Sequence, residues 1–269
     1  MRAFASRATA GVSTPLPAVG LVARYAADAI TNITDGQSVT NWNDTTGLAA
    51  PLLVGVGLTP PTFLANADGD SMPLVRFDGV LNQLQNLDAS LAYGGTDFTA
   101  YFVARNTYSS GAKKKMWALC GAGGDEFGNG SMYFGVDIPD AWRLRYNYPG
   151  NGSAYCANAR ATQGPGNFNQ NTGVPQWALG VIRFSTVLGY GWTHVRCGQI
   201  AGDWTLGAAA PMTFTEFYLG SGSTNGVAWP NTIQCDVREF GMYHRALLDS
   251  EIRALMRYAG NKWQLPGLI

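Results

Sequence analysis

From Leu21 to Tyr243 the chain keeps returning to short stretches of strand-like patterning, each cut off by glycine, proline or asparagine. This constrains the fold more than any other feature of the sequence. In MPLVRFDG (72–79), Leu74, Arg76 and Asp78 alternate with Val75 and Phe77, a period of two. LVARYAAD (21–28) opens the series, and FTAYFVAR (98–105) is dense in the β-branched and aromatic residues that favour strands. Further strands are expected over 115–121, 131–136, 141–148, 176–184, 188–198, 212–220 and 235–244. In the third of these, Trp142, Leu144, Tyr146 and Tyr148 share one face, opposite Arg143, Arg145 and Asn147. No helical pattern of ten or more residues separates the strands, which disfavours a parallel βαβ sheet. The expected architecture is all-β, a two-sheet antiparallel sandwich.

The period changes once, after Leu247. Leu248, Ile252, Leu255, Met256 and Ala259 recur at three- and four-residue intervals, as on one stripe of a helix. Asp249 and Glu251 fall in its first turn, Arg257 near its end, and Gly260 at the expected C-cap. A helix of about eleven residues does not stand alone in water. It is expected to lay its stripe on the sheet.

Composition sets the functional limits. Charged residues make up 13% of the 269, against roughly 25% in ordinary soluble domains. Formal net charge is zero, so no electrostatic footprint of a nucleic-acid partner is expected. The run Lys113-Lys114-Lys115 is read as a solvated hairpin tip, with a polyanion contact as the alternative. No apolar stretch reaches the length of a membrane span, and no membrane partner is expected. The first twenty residues lack an apolar run of seven, so no secretory signal is evident.

Residues 1–18 read as an extended N-terminal arm, either a disordered end or a strap onto a neighbouring subunit. Residues 19–269 read as one domain, with 149–175 its most turn-rich segment. Cys120, Cys156, Cys197 and Cys235 lie 36, 41 and 38 residues apart, without paired Cys/His spacing. Buried free thiols are the simpler expectation than zinc ligands or disulfides.

The strand CDVREFGMYHRAL followed by LDSEIRALMRYAGNKWQL resembles the carboxyl end of concanavalin A-like (laminin-G-like) jelly-roll domains. Those commonly end G-D-I-x-E-x-x-x-Y-x-R-A-L-S-x-x-E-I, then a helix, then K-W. Asp236, Val237, Glu239, Tyr243, Arg245, Ala246, Leu247, Glu251, Ile252, Lys262 and Trp263 match in register. Earlier, Gly36, Val39, Trp42, Asp44 and Gly47 resemble the family's first turn region, and PLVRFDG resembles its P-x-V-R-F-D-G strand. The resemblance covers roughly residues 20–265 and implies a jelly roll closed by the helix. Cys235 stands where glycine is usual, and Leu248 replaces the usual Ser/Thr N-cap, so Asp249 is expected to cap.

Relatives of this kind include glycoside hydrolases, which need two carboxylates across the scissile bond. Glu126, Glu216, Glu239 and Glu251 each lack a suitable second carboxylate in sequence, and the E-x-D-x-x-E spacing is missing. Two histidines, His194 and His244, and no G-x-S-x-G elbow argue equally against a Ser-His-Asp site. Some laminin-G-like domains hold calcium, and Asp68 and Asp70 in ADGD are the candidates; the competing reading is a turn. For glycan binding the candidates are Trp142, Tyr146, Tyr148, Trp192 and Trp229, with Asn151 as a hydrogen-bonding neighbour. The competing reading places these aromatics in the core.

The function expected from the sequence is a non-catalytic structural, decoration or appendage protein of a bacteriophage virion, assembled in the host cytoplasm. Its expected partners are other virion proteins through the N-terminal arm, further copies of itself, and host-surface polysaccharide. The alternatives are a carbohydrate-binding module of a bacterial extracellular protein and a diverged glycosidase.

Overall fold

The computed structural model describes residues 15–87, 93–95, 97–106, 114–120, 131–138, 141–147, 153–156, 177–185, 190–196, 199–204, 212–221, 223–224, 227–228 and 234–265. In chain order the strands begin with β1 (Leu21–Ala26), β2 (Asn41–Trp42), β3 (Leu52–Val54), β4 (Thr62–Leu64), β5 (Leu74–Asp78), β6 (Leu84–Asn86) and β7 (Tyr93–Gly95). There follow β8 (Asp97–Asn106), β9 (Lys114–Cys120), β10 (Ser131–Ile138), β11 (Ala141–Asn147), β12 (Ser153–Cys156), β13 (Ala178–Ser185), β14 (Tyr190–Arg196) and β15 (Gln199–Trp204). The last are β16 (Met212–Phe214), β17 (Glu216–Leu219), β18 (Ser223–Thr224), β19 (Val227–Ala228) and β20 (Gln234–Tyr243), before helix α1 (Asp249–Trp263).

The strands form an antiparallel two-sheet sandwich. Sheet A runs β15-β14-β13-β8-β20-β5-β4, with β1 also paired to β20; sheet B runs β12-β11-β10-β9-β17-β6-β3-β2. The main core lies between them. Phe98, Phe102, Phe184 and Phe240 from sheet A meet Trp42, Trp117, Leu119 and Phe217 from sheet B. The Phe217 and Phe240 rings stack with centroids 4.4 Å apart.

The near-continuous apolar run of β8 follows from burial on both faces. Phe98, Ala100, Phe102 and Ala104 enter the main core, whereas Tyr101 and Val103 join Leu179, Val181 and Tyr243 beneath the helix. Two glycines permit close packing at β8. Gly180 pairs with Phe102 and Gly241 with Tyr101, and a Cβ at either would sit 2.2 or 2.3 Å from the opposing ring.

Helix α1 lies on the outer face of sheet A, burying Ile252, Leu255, Met256, Tyr258, Ala259 and Trp263. It departs from the sequence expectation at both ends. Leu248, expected on the stripe, is the N-cap and 62% exposed. Asp249 does not cap; the Glu251 carboxylate accepts from the Leu248 N–H at 2.8 Å, and Asp249 pairs with Arg183 at 2.7 Å. The helix also runs past Gly260 to Trp263. Gln264, at φ 51°, takes the left-handed C-cap conformation instead.

Other differences are local. The segment 212–220 is two strands, β16 and β17, because the Thr215 N–H turns aside to donate to the Cys120 carbonyl. Lys114 and Lys115 begin β9 rather than sitting in a hairpin tip. Cys120 and Cys235 are buried; the side chains of Cys156 and Cys197 lie outside the described residues. Residues 1–14 of the arm also lie outside them, while Leu16 packs partly buried against the helix cluster. No helix among the described residues is long and apolar enough to cross a membrane.

Candidate functional site

The two outer faces of the sandwich differ, and the difference begins with a bulge in β20. Val237 pairs with Ala104 and Glu239 with Val103, so Arg238 is the extra residue. The bulge sends two consecutive charged side chains, Arg238 and Glu239, to the helix side of sheet A. Each anchors a network, and Trp263 joins the two.

Glu239 is fully buried. Its carboxylate accepts from Arg24 Nε at 2.8 Å, Tyr101 Oη at 2.7 Å, Tyr258 Oη at 3.0 Å, Lys262 Nζ at 3.1 Å and Trp263 Nε1 at 2.8 Å. Burial alone would raise its pKa. The charges of Lys262 and Arg24 and the hydrogen bonds from Arg24 and Tyr101 more than offset that, holding it below the usual carboxylate range. The group ties β1, β8 and α1 to β20. Fully engaged and without solvent access, it is a clamp, as the family resemblance implied, and not a general acid.

Arg238 is 1% exposed and bonds Asp70, with Asp68 at 3.5 Å and the Trp263 carbonyl at 3.2 Å. Its guanidinium lies 4.0 Å from the centre of the Trp177 ring, over which Arg105 also stacks at 4.8 Å. Arg105 forms a two-pronged pair with Asp68, both contacts at 2.8 Å, and reaches Asp236 at 2.7 Å; Arg76 grips the other side of Asp236 at 2.7 and 2.9 Å. Trp177 Nε1 donates to Asp68 at 3.0 Å. Burial would raise the Asp68 carboxyl, but Trp177 and Arg105 outweigh it and leave it low.

These contacts bear on the two weak calcium candidates, Asp68 and Asp70. Calcium needs several oxygens free to converge on one point. At Asp68 and Asp70 that role is taken by guanidinium groups, and Asp70 also closes its own turn through the Met72 N–H at 3.0 Å. The oxygens present do not fit a calcium ion. Among the described residues no group of three or more His, Cys, Asp or Glu is placed to hold a metal.

Sheet B carries no helix among the described residues. Ala118, Cys120 and Tyr218 form a small buried cluster on its outer side, while the neighbouring Trp117, Leu119, Phe217 and Leu219 enter the main core. Tyr218 Oη donates to Glu216 Oε2 at 2.6 Å. The pairing register extends this outer side across six strands: Tyr155 with Arg145, Arg145 with Tyr133, Tyr133 with Ala118, Ala118 with Tyr218, and Tyr218 with Gln85. At about 4.8 Å per strand the row is about 24 Å long.

The sequence candidates fall elsewhere. Tyr146 pairs with Met132, which pairs with the core residue Leu119; Trp142 pairs with Val136 two residues along from Leu144, whose row contains Phe134 and the core residue Trp117. Trp192 is in sheet A, paired with Trp204. Tyr148, Asn151 and Trp229 lie outside the described residues. Register thus brings Trp142 and Tyr146 onto one strand and separates Trp192 from them. The row through Tyr133, Arg145 and Tyr155 was missed, although the alternation within AWRLRYN already set Arg145 opposite the aromatic positions.

No protein-family model matches the chain, and no curated protein matches it. Solved structures do. The chain aligns with Trypanosoma rangeli sialidase in complex with sialic acid at a TM-score of 0.55 and 15% identity, over 93% of this chain and 34% of that one. It aligns with the ligand-binding domain of botulinum neurotoxin serotype D in complex with N-acetylneuraminic acid at 0.57 and 11%, over 90% and 51%. Domain 4 of AbnA, a GH43 extracellular arabinanase from Geobacillus stearothermophilus, in complex with arabinotriose, gives 0.52 and 13%, over 86% and 96%. The chain spans about a third of the sialidase and half of the toxin domain. At these identities the likeness establishes the class, a two-sheet β-sandwich fold, and goes no further.

Proposed function

We propose that this protein is a non-catalytic glycan-binding β-sandwich whose ligand lies on the outer face of sheet B. The observation that carries the reading is the asymmetry of the two faces. Helix α1 and two closed charge networks occupy sheet A, whereas on sheet B register places Tyr155, Arg145, Tyr133 and Gln85 on one outer row, around the buried cluster of Ala118, Cys120 and Tyr218. Tyrosine offers an apolar ring and a hydroxyl, and arginine and glutamine offer forked hydrogen bonding. A sugar, with an apolar C–H face and a hydroxyl rim, suits that combination. The sugars bound in the three structurally similar proteins support the same class of ligand.

Several carboxylates are already committed, which supports the non-catalytic part. Glu239 is clamped, Asp68, Asp70 and Asp236 are held by arginines, and Glu216 is bonded to Tyr218. The setting that goes with this function, a decoration or appendage of a bacteriophage particle, rests on the sequence reading alone. Genes for capsid and tail proteins beside this one would support it, and a secreted polysaccharide-degrading operon would replace it. The function itself is tested with a broad glycan array and a reducing-sugar assay on any polysaccharide that binds. Binding without sugar release is the expected result; sugar release abolished by one carboxylate substitution would make the protein an enzyme.

A further inference from the structure

The charge on the sheet B face specifies the proposed ligand further. Register aligns Lys115 with Gly135 and Gly135 with Arg143, on the row next but one to that of Ala118, Tyr133, Arg145 and Tyr155. The intervening row, through Trp117 and Phe134, belongs to the core side at Trp117. The shift between Phe134 and Gly135 preserves this arrangement: Met116 and Trp117 both enter the core, and Lys115 returns to the parity of Ala118. By register, three cationic residues from β9 and β11 therefore share one sheet face with Tyr133, Tyr155 and the buried Tyr218. Arg143 and Arg145 are about 7 Å apart along one strand, and the glycine between Lys115 and Arg143 brings no side chain of its own.

Among the described residues, the acidic ones of this region are Asp137, at the β10 bulge, and Glu216, opposite Cys120. In a chain with 18 basic and 18 acidic residues, three cations grouped in two strands are a local excess. Cations spaced along a tyrosine-bearing sheet suit a chain that repeats a negative charge at saccharide intervals. Three charges are few for a nucleic-acid backbone, and the zero net charge adds no long-range attraction.

Resting on the glycan-binding reading above, we infer that the ligand is an acidic polysaccharide, bearing carboxylate or sulfate groups, engaged by Lys115, Arg143 and Arg145. The test is titration of the full chain with polygalacturonate, heparin, neutral dextran and single-stranded DNA, each at low and high salt. An acidic glycan should bind, and its affinity should fall as salt screens the contacts. The double variant Arg143→Gln/Arg145→Gln should bind it at least about tenfold more weakly, the scale of one lost charge-assisted contact. Its thermal unfolding should match the parent's. Lys115→Gln gives the same readout from a different strand should the double variant fail to fold. Salt-independent binding of a neutral glycan, unchanged in these variants, would overturn the inference and leave the glycan-binding function standing. Tighter binding of DNA than of polygalacturonate would overturn the ligand class. No binding to any glycan would overturn both.

Discussion

Glu239 shows how much one side chain organises. Five donors from β1, β8 and α1 converge on it, and removing its charge leaves Arg24 and Lys262 facing each other without a shared anion. Glu239→Gln should cost about 3–5 kcal/mol in urea unfolding, the usual scale for breaking a buried ion pair. The pH dependence has a definite sign. Because the folded carboxyl lies below its ordinary value, its stabilisation is fully present above the unfolded pKa of about 4.3 and is lost as pH falls through the folded pKa. Asp68, also lowered, contributes in the same direction. Unfolding midpoints measured from pH 7 down to 3 should therefore fall steeply below about 4.5, and Glu239→Gln should flatten that slope. A variant with the parent's slope would place the acid sensitivity elsewhere. The match of Glu239 to a family position marked it as structural from sequence. Its five partners, spread from Arg24 to Trp263, were not legible, since nothing local links them.

At the scale of elements, α1 is the piece whose existence was plainest and whose ends were least so. The change of period after Leu247 announced a helix, and Ile252, Leu255, Met256 and Ala259 are buried as the stripe required. Its length was misjudged because Gly260 is a usual stop signal, whereas here tertiary contacts hold the next turn. Trp263 Nε1 bonds Glu239, and its carbonyl receives Arg238. Leu255→Asp should destabilise the domain by more than about 3 kcal/mol, since it buries a charge in the cluster formed with Tyr101 and Val181. Unchanged unfolding would mean that the helix is not part of the fold's closure. Leu248→Ser should act the other way. It supplies the missing cap oxygen beside an existing Glu251 bond, a gain of about 0.5–1 kcal/mol visible as a raised melting temperature.

For the whole molecule, the sandwich was legible because its strands announce themselves one at a time, by alternation and punctuation. Which sheet each strand joins was not, because pairing is decided between distant segments: β8 lies beside β13 and β20, not β9. The candidate surface suffered from the same limit. Trp142, Tyr146 and Trp192 drew notice as aromatic residues, but only register separates the two sheets and aligns Tyr133 with Arg145 and Tyr155. The asymmetric closure, helix on one face and tyrosine-arginine row on the other, is the central claim. It is tested most directly by comparing glycan affinity of Tyr133→Ala with that of Trp142→Ala on the best ligand from the array, alongside each variant's unfolding midpoint. Loss of affinity with near-parental stability for Tyr133→Ala, and loss of stability for Trp142→Ala, is the predicted result. Retained affinity in Tyr133→Ala, with binding lost instead in a stable Trp142→Ala, would contradict it.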